Sequence, residues 1–328
     1  MNKSQASIKL IYFQIIIDRQ LINFTKSLKF PSAGEDNIIV MAAKIDKIYL
    51  SLPISRKNKE TEVVETATFT VRAARNDRQE IKELTNIYNG RLVKLDAGIS
   101  ITADQMGKRI AKDRGSVLVA SIGDKKVGLI NDVKFEAEDP YGIPTNHQEL
   151  TGDDTWSTSN PKKGKIWICP WVTTQPELTA GWRGELFGQS KSLAQLLVSS
   201  VVLAARESKI NVAAVVAYSR PADLYQYLSS LWGEGRFSYI MPGRMLRDET
   251  RFISTDKEGL FYMYGGNRVS ILDINKYLYP TRDGRILDAV IRMHIKNGAV
   301  LDPRLIFPYG QVWDGKSVFY RTGLIYKV

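Results

Sequence analysis

The residues best suited to chemistry begin at Gln189-Ser190-Lys191-Ser192-Leu193-Ala194. A strand-like apolar run, residues 166–172 (IWICPWV), comes before them. A helical pattern runs from about 192 to 208, and a second buried-strand run, 212–218, follows. In a strand, loop, helix, strand unit the loop sets backbone N–H groups at a helix N-terminus. There the macrodipole favours an anion such as a pyrophosphate. An ordinary helix joined to a strand is the plain alternative. His294, one of two histidines, titrates near neutrality and is eligible as an acid or base. On an amphipathic helix before Asn297-Gly298 it can equally be a packing residue that steadies the helix end. Cys169, the single cysteine, sits inside the apolar run and reads as a small buried hydrophobe. Two histidines and one cysteine do not make a His/Cys zinc site, and no metal is expected.

The elements that must position these groups can be placed along the chain. Residues 68–74 alternate as a strand should, Asn76-Asp77 can cap a helix, and residues 79–88 have apolar positions at helical spacing. A second helix is expected over 101–112. Residues 116–121 and 126–134 read as a hairpin turned by Gly123-Asp124. The polar, proline-containing stretch 136–165 reads as a long surface excursion. Pro221 is a favoured first-turn residue for a helix. A short amphipathic helix is expected over 286–296, followed by closing strands over 298–307 and 319–328. Residues 1–65 read as an N-terminal extension and linker, with 66–328 as the domain proper. Its insertions fall at about 136–165 and 230–285. Within the extension, residues 10–17 are apolar but far too short to span a bilayer, and Met41 is a possible alternative start.

The chain has 328 residues, 44% hydrophobic and 25% charged, which suits a soluble globular protein with a sizeable core. One cysteine excludes an internal disulfide framework and points to a reducing, cytoplasmic setting. The net charge of +11 fits nucleic acid, an anionic membrane surface or acidic ligands. Its basic residues are spread out and no RNA-binding or zinc-finger signature accompanies them. An anionic small molecule or an acidic carrier protein is therefore favoured over nucleic acid, and no membrane insertion is expected.

Taken in order, these segments resemble the GNAT N-acetyltransferase superfamily. The stretch TVRAARNDRQEIKELTNIYN (70–89) resembles its first strand and helix. VLVASIGDKKVGLIND (117–132) resembles its second and third strands. Gln189-x-x-Ser192-x-Ala194 before Leu196-Leu197 resembles its coenzyme A loop, with serine in place of the middle glycine. ILDAVIRMHIKNGAVL (286–301) resembles a helix of a subgroup that includes the loading domains of some polyketide synthases. The resemblance implies an α/β, acyl-CoA N-acyltransferase fold, a mixed central sheet flanked by helices. It implies that acetyl-CoA or another acyl-CoA binds at Gln189, Ser190, Lys191, Ser192, Leu193 and Ala194. The central strand, at Pro170, Trp171 and Val172, would hold the pantetheine arm and offer a backbone N–H to the thioester oxygen. Tyr225 would protonate the leaving thiolate, or else be a core aromatic. His294 and Ser219 would take part in malonyl decarboxylation and acyl transfer. The subgroup's arginine before a proline is absent, and Tyr309-Gly310-Gln311 stands there.

Three functions follow as expectations. The first is an acyl-CoA-dependent acyltransferase acting on an amine or thiol. The second is a malonyl decarboxylase and S-acyltransferase that loads an acyl carrier protein. The third is an acyl-CoA-binding module without activity.

Overall fold

The structure is a computed structural model. It describes residues 47–308 and 320–328, apart from 59, 96–99, 145–146, 222–223, 225, 228–229, 231–251, 257–258, 265–266, 271–275 and 282. All of these lie in the unit Asp46–Val328. The first 46 residues, with the apolar run 10–17 and Met41, fall outside the described residues, as does Tyr225.

The chain opens on the antiparallel pair β1 (Ile48–Lys57) and β2 (Val64–Ala73), followed by helices α1 (Arg78–Leu95) and α2 (Ala103–Lys112). Strand β1 alternates buried and exposed residues and pairs along its length with β2. The sheet thus takes in residues from the segment read as an extension. Helix α2 starts at a capping box, Thr102 with Gln105. The hairpin β3 (Val117–Ile122) and β4 (Lys125–Phe135) turns at Gly123-Asp124, where Gly123 takes a positive φ of 55°. After α3 (His147–Thr151) come the central strand β5 (Ile166–Thr174), a short α4 (Pro176–Thr179), and the hairpin β6 (Arg183–Leu186) and β7 (Gln189–Ser192). Helix α5 (Leu193–Arg206) leads to β8 (Ala214–Ser219). A separate three-stranded sheet, β9 (Phe252–Asp256), β10 (Gly259–Tyr264) and β11 (Asn267–Ser270), lies in the second insertion. Helix α6 (Ala289–Lys296) and the strands β12 (Val300–Pro308) and β13 (Tyr320–Lys327) close the fold.

Ten strands form one sheet in the order β12-β13-β8-β5-β4-β3-β2-β1-β6-β7. Every neighbouring pair is antiparallel except β5 with β8, which is parallel. One face packs on α5 and α6 through Leu196, Leu197, Val201, Ile291, Val215 and Leu324. The other packs on α1 and α2 through Leu84, Tyr88, Met106, Ile110, Val119 and Leu129.

Two expectations need correction. The stretch 136–165 is not a surface excursion alone, because Ile143, Leu150 and Trp156 are buried in it. Ile143 and Leu150 pack on the sheet beside Ile168 and Val216. The polar composition hid these anchors. In addition, residues 183–192 form a hairpin rather than an open loop. Phe187 and Gly188 both have positive φ, 55° and 73°. A two-residue turn of that kind matches the strand twist and drives the flanking residues to pair. Among the described residues no helix is long and apolar enough to cross a membrane.

Candidate functional site

The sheet opens at its centre. Strand β5 pairs with β8 only from Ile166–Ala214 to Cys169–Ala217, whereas its pairing with β4 continues to Thr174. Pro170 follows Cys169 and has no N–H to give a neighbour. At the same point the β4–β5 register shifts: Asn131 faces Trp171 while Val133 faces Ile168. One residue of β4, Asp132, therefore spans two of β5, a bulge that bends the strand. Trp171 and Val172 lie just past this break, with one backbone edge on β4 and the other parted from β8. Trp171 keeps its indole Nε1 buried, with no hydrogen-bond partner among the described residues.

Asp132 sits under the bulge and is almost wholly buried. Its nearest cation, Lys134 Nζ, is 3.7 Å away and is itself held at 2.5 Å by Asp113. Burial raises the Asp132 carboxyl to about 7, partly opposed by the Lys134 charge. An unfolded aspartate ionises near 3.9, by contrast. Between these two values the unfolded chain has already released a proton that the folded protein still holds. Folding stability is therefore lost as pH rises from about 4 to about 7, and is level above that. Asp132→Asn is expected to raise Tm more at pH 8 than at pH 5. An equal gain at both pH values would mean that the carboxyl ionises at its ordinary value.

The hairpin β6–β7 delivers the chain to the N-terminus of α5. Ser192 is the N-cap: its Oγ accepts from Gln195 N, while Gln195 Oε1 accepts from Ser192 N at 2.9 Å. The capping box uses the backbone N–H groups of Ser192 and Gln195. Among the described residues a cavity of about 580 Å³ is lined by Arg183, Gln189, Ser190, Lys191, Gln195 and Lys296, three cations and no acid. Lys191 is 5% exposed. Its ammonium donates to Asn297 Oδ1 at 2.6 Å and Gln189 Oε1 at 3.3 Å, both neutral amide oxygens. Burial lowers its pKa. A lysine drawn from water without a carboxylate partner favours any anion that reaches it. Leu193 points into the core, and Ala194 is partly buried.

His294 lies in the last turn of α6, 4% exposed, with Nδ1 2.7 Å from the Tyr326 hydroxyl. Burial lowers its pKa to about 4, so the imidazole is neutral at pH 7. Ser219 ends β8 opposite Thr322 of β13. Both hydroxyls are buried, and neither has a hydrogen-bond partner among the described residues. Tyr326 and Thr322 stand roughly 14 Å apart along β13. The fold thus sets His294 and Ser219 on one face of the sheet without joining them in one hydrogen-bonded group. Cys169 is buried and its thiol raised well above the usual range by burial, which makes it inert.

Arg183 and Lys296 come to the Lys191 cavity from β6 and the end of α6. Asn297, legible in the sequence as a helix end, bonds the Lys191 ammonium. Gln195 was legible, because Ser192-x-x-Gln195 is a capping-box spacing. On the opposite face, Asp154 Oδ1 binds both Arg109 Nη2 at 2.7 Å and His147 Nε2 at 2.8 Å. His147 makes an edge contact with Trp171, ring centroids 6.0 Å apart.

No protein-family model matches the chain, and no curated protein matches it. Solved structures do. The loading GNATL domain of CurA from Lyngbya majuscula is 15% identical over 79% of this chain and 97% of its own, with a TM-score of 0.49. The GphF GNAT-like decarboxylase in complex with isobutyryl-CoA is 15% identical over 78% and 98%, also at 0.49. Malonyl-CoA decarboxylase from Rhodopseudomonas palustris is 14% identical over 79% and 56%, at 0.47. Likenesses this distant assign no activity. The fold rests on the chain's own strand order: an α/β fold with a mixed sheet, helices on both faces and one parallel pair that parts at Pro170.

Proposed function

We propose that this protein is an acyl-CoA-dependent acyltransferase. The observation that carries the reading is the cavity around Lys191 at the start of α5, lined among the described residues by three cations and no acid, beside a central strand with a released edge. The CoA diphosphate sits against Arg183, Lys191 and Lys296, and the pantetheine arm runs along β5 at Trp171 and Val172. The acceptor, an amine or thiol, approaches from the other face. Its heteroatom attacks the thioester carbonyl, and a backbone N–H of the open edge steadies the oxyanion. The C–S bond then breaks, the acceptor loses a proton and the thiolate gains one. Acetyl-CoA at a hundred times its Kd is expected to stabilise the fold by about 2.7 kcal/mol. A melting temperature unmoved by acetyl- or malonyl-CoA would remove this reading.

The unpartnered hydroxyl of Ser219 and the neutral His294 favour a second reading, decarboxylation of a malonyl thioester followed by loading of a carrier protein. There the bond to the carboxylate carbon breaks, carbon dioxide leaves, and the electron pair enters a thioester enolate that is then protonated. In that case His294→Ala costs about 10²-fold or more in carbon dioxide release, the usual scale for a positioned acid or base. Acetyl transfer should fall much less. Equal rates for both proteins in both assays would leave His294 as a packing residue of the helix end.

A further inference from the structure

The end of α6 is tied to the anion cavity through one side chain. Asn297 Oδ1 accepts from Lys191 Nζ at 2.6 Å and from Ser199 Oγ at 3.2 Å. Its Nδ2 donates to the Gln195 backbone oxygen at 3.1 Å. The same residue is the C-cap of α6, its backbone N–H bonded to His294 O at 3.0 Å. Gly298, at φ +95°, lets the chain turn away directly afterwards. The Tyr326 hydroxyl holds His294 Nδ1 at 2.7 Å and lies 3.5 Å from His294 O. Asn297 thus contacts the cavity's buried ammonium, the first turn of α5, and, through its backbone N–H, the carbonyl of the residue that carries the buried imidazole.

We infer that Asn297 is a positioning residue that couples diphosphate binding at Lys191 to the placement of His294. The inference rests on the acyl-CoA reading of the cavity and adds its consequence. The shorter of the two bonds of the Lys191 ammonium is to Asn297. An arriving diphosphate is a stronger acceptor because it is charged. It draws the ammonium toward itself, and the Asn297 amide readjusts between Gln195 and Ser199. The end of α6 moves with it, and the His294 ring follows through the bond from Asn297 N–H to His294 O. Filling the donor site therefore sets the imidazole before the acyl group is committed.

The two histidines make this measurable. Their C2–H proton resonances separate in one-dimensional spectra, and His294 is assigned by its loss in His294→Asn. His147 lies on the opposite face of the sheet and serves as the internal reference. Inorganic pyrophosphate is the probe, because it carries no ring to shift a resonance directly. Its binding is measured separately by calorimetry. In the wild type, saturation should move the His294 resonance and leave His147 in place. In Asn297→Ala the protein should still bind pyrophosphate, but the His294 shift should vanish. If Asn297→Ala fails to fold, Lys191→Met serves: binding held by Arg183 and Lys296 alone should leave His294 unmoved. Lys296→Ala, a cavity lysine for which no bond to Asn297 is seen, should weaken binding about twofold to fivefold, the scale of an exposed charge. It should keep the full shift at saturation. Binding without any His294 shift, or a full shift in either Asn297→Ala or Lys191→Met, overturns the coupling and leaves the cavity reading standing. Absence of pyrophosphate and acyl-CoA binding overturns both.

Discussion

Lys191→Met is expected to weaken acetyl-CoA binding by about 10- to 100-fold, the largest loss for any single change in the cavity. Hydrogen bonds to charged groups are worth about 1.5–3 kcal/mol, against about 1 for neutral ones. Lys191 stands at the upper end for a structural reason. Its ammonium is buried, its two seen partners are neutral amide oxygens, and no acid among the described residues lines the cavity to compete with a phosphate. Methionine keeps the unbranched apolar stem, so the packing under Gln195 and Asn297 is retained while the charge goes. Calorimetric titration of both proteins with acetyl-CoA measures the ratio. The salt dependence should flatten in the variant, since one fewer cation meets the phosphates. An unchanged Kd would place the coenzyme elsewhere on the molecule.

Arg109→Met should cost about 3–5 kcal/mol of folding stability, the range for removing one partner of a buried ion pair. Arg109 is fully buried on α2. Its guanidinium lies between the rings of Tyr88, 5.0 Å away, and Trp156, 4.0 Å away. Nε donates to the Asp154 backbone oxygen at 2.8 Å and Nη2 to the Asp154 carboxylate at 2.7 Å. Without it, a carboxylate shared with His147 is left partly buried. The segment that carries the carboxylate is also strained: Gly152, Asp153, Asp154 and Trp156 all have φ between 55° and 65°. Such backbone persists only while its contacts hold it. Denaturant unfolding of the variant beside Lys108→Ala makes the test. Lys108 forms an exposed pair with Asp104 on the same helix, and its loss should be near neutral. A comparable loss in both variants would show that Arg109 is not the anchor of this segment.

The Arg109 group shows where sequence reading stopped. Arg109 and Asp154 are 45 residues apart, and neither stands in a motif. Their pairing depends on how α2 and the turn after α3 meet, a contact that no local pattern encodes. Trp156 and His147 were hidden in the same way, inside a stretch whose composition is that of a surface loop. The periodic elements were legible because burial on one face leaves its period in the sequence. The hairpin β3–β4, helices α1, α2 and α5, and the closing strands follow from alternation, helical spacing, Gly123 and Asn297-Gly298.

The sequence by itself determined the order of β2 to β5 with α1 and α2, of α5 and β8, and of α6 with the closing strands, and from that order an α/β fold. It also determined that a helix starts near Ser192, since Ser192 and Gln195 can cap it locally. Tertiary structure decided what surrounds the segment before it. Phe187-Gly188 turn it into a hairpin, and the cavity beside it is lined by cations from three elements: Arg183 on β6, Lys191 on β7 and Lys296 at the end of α6. Tertiary structure also decided where β5 leaves β8. Pro170 is visible in the chain, but the bulge it forms with Cys169 opposite Asp132 exists only when β4 and β5 are paired. The physical reason is the same in each case. Local patterns record which residues are buried along one element, whereas a binding site is made where separate elements converge, and convergence is set by packing across the whole sheet.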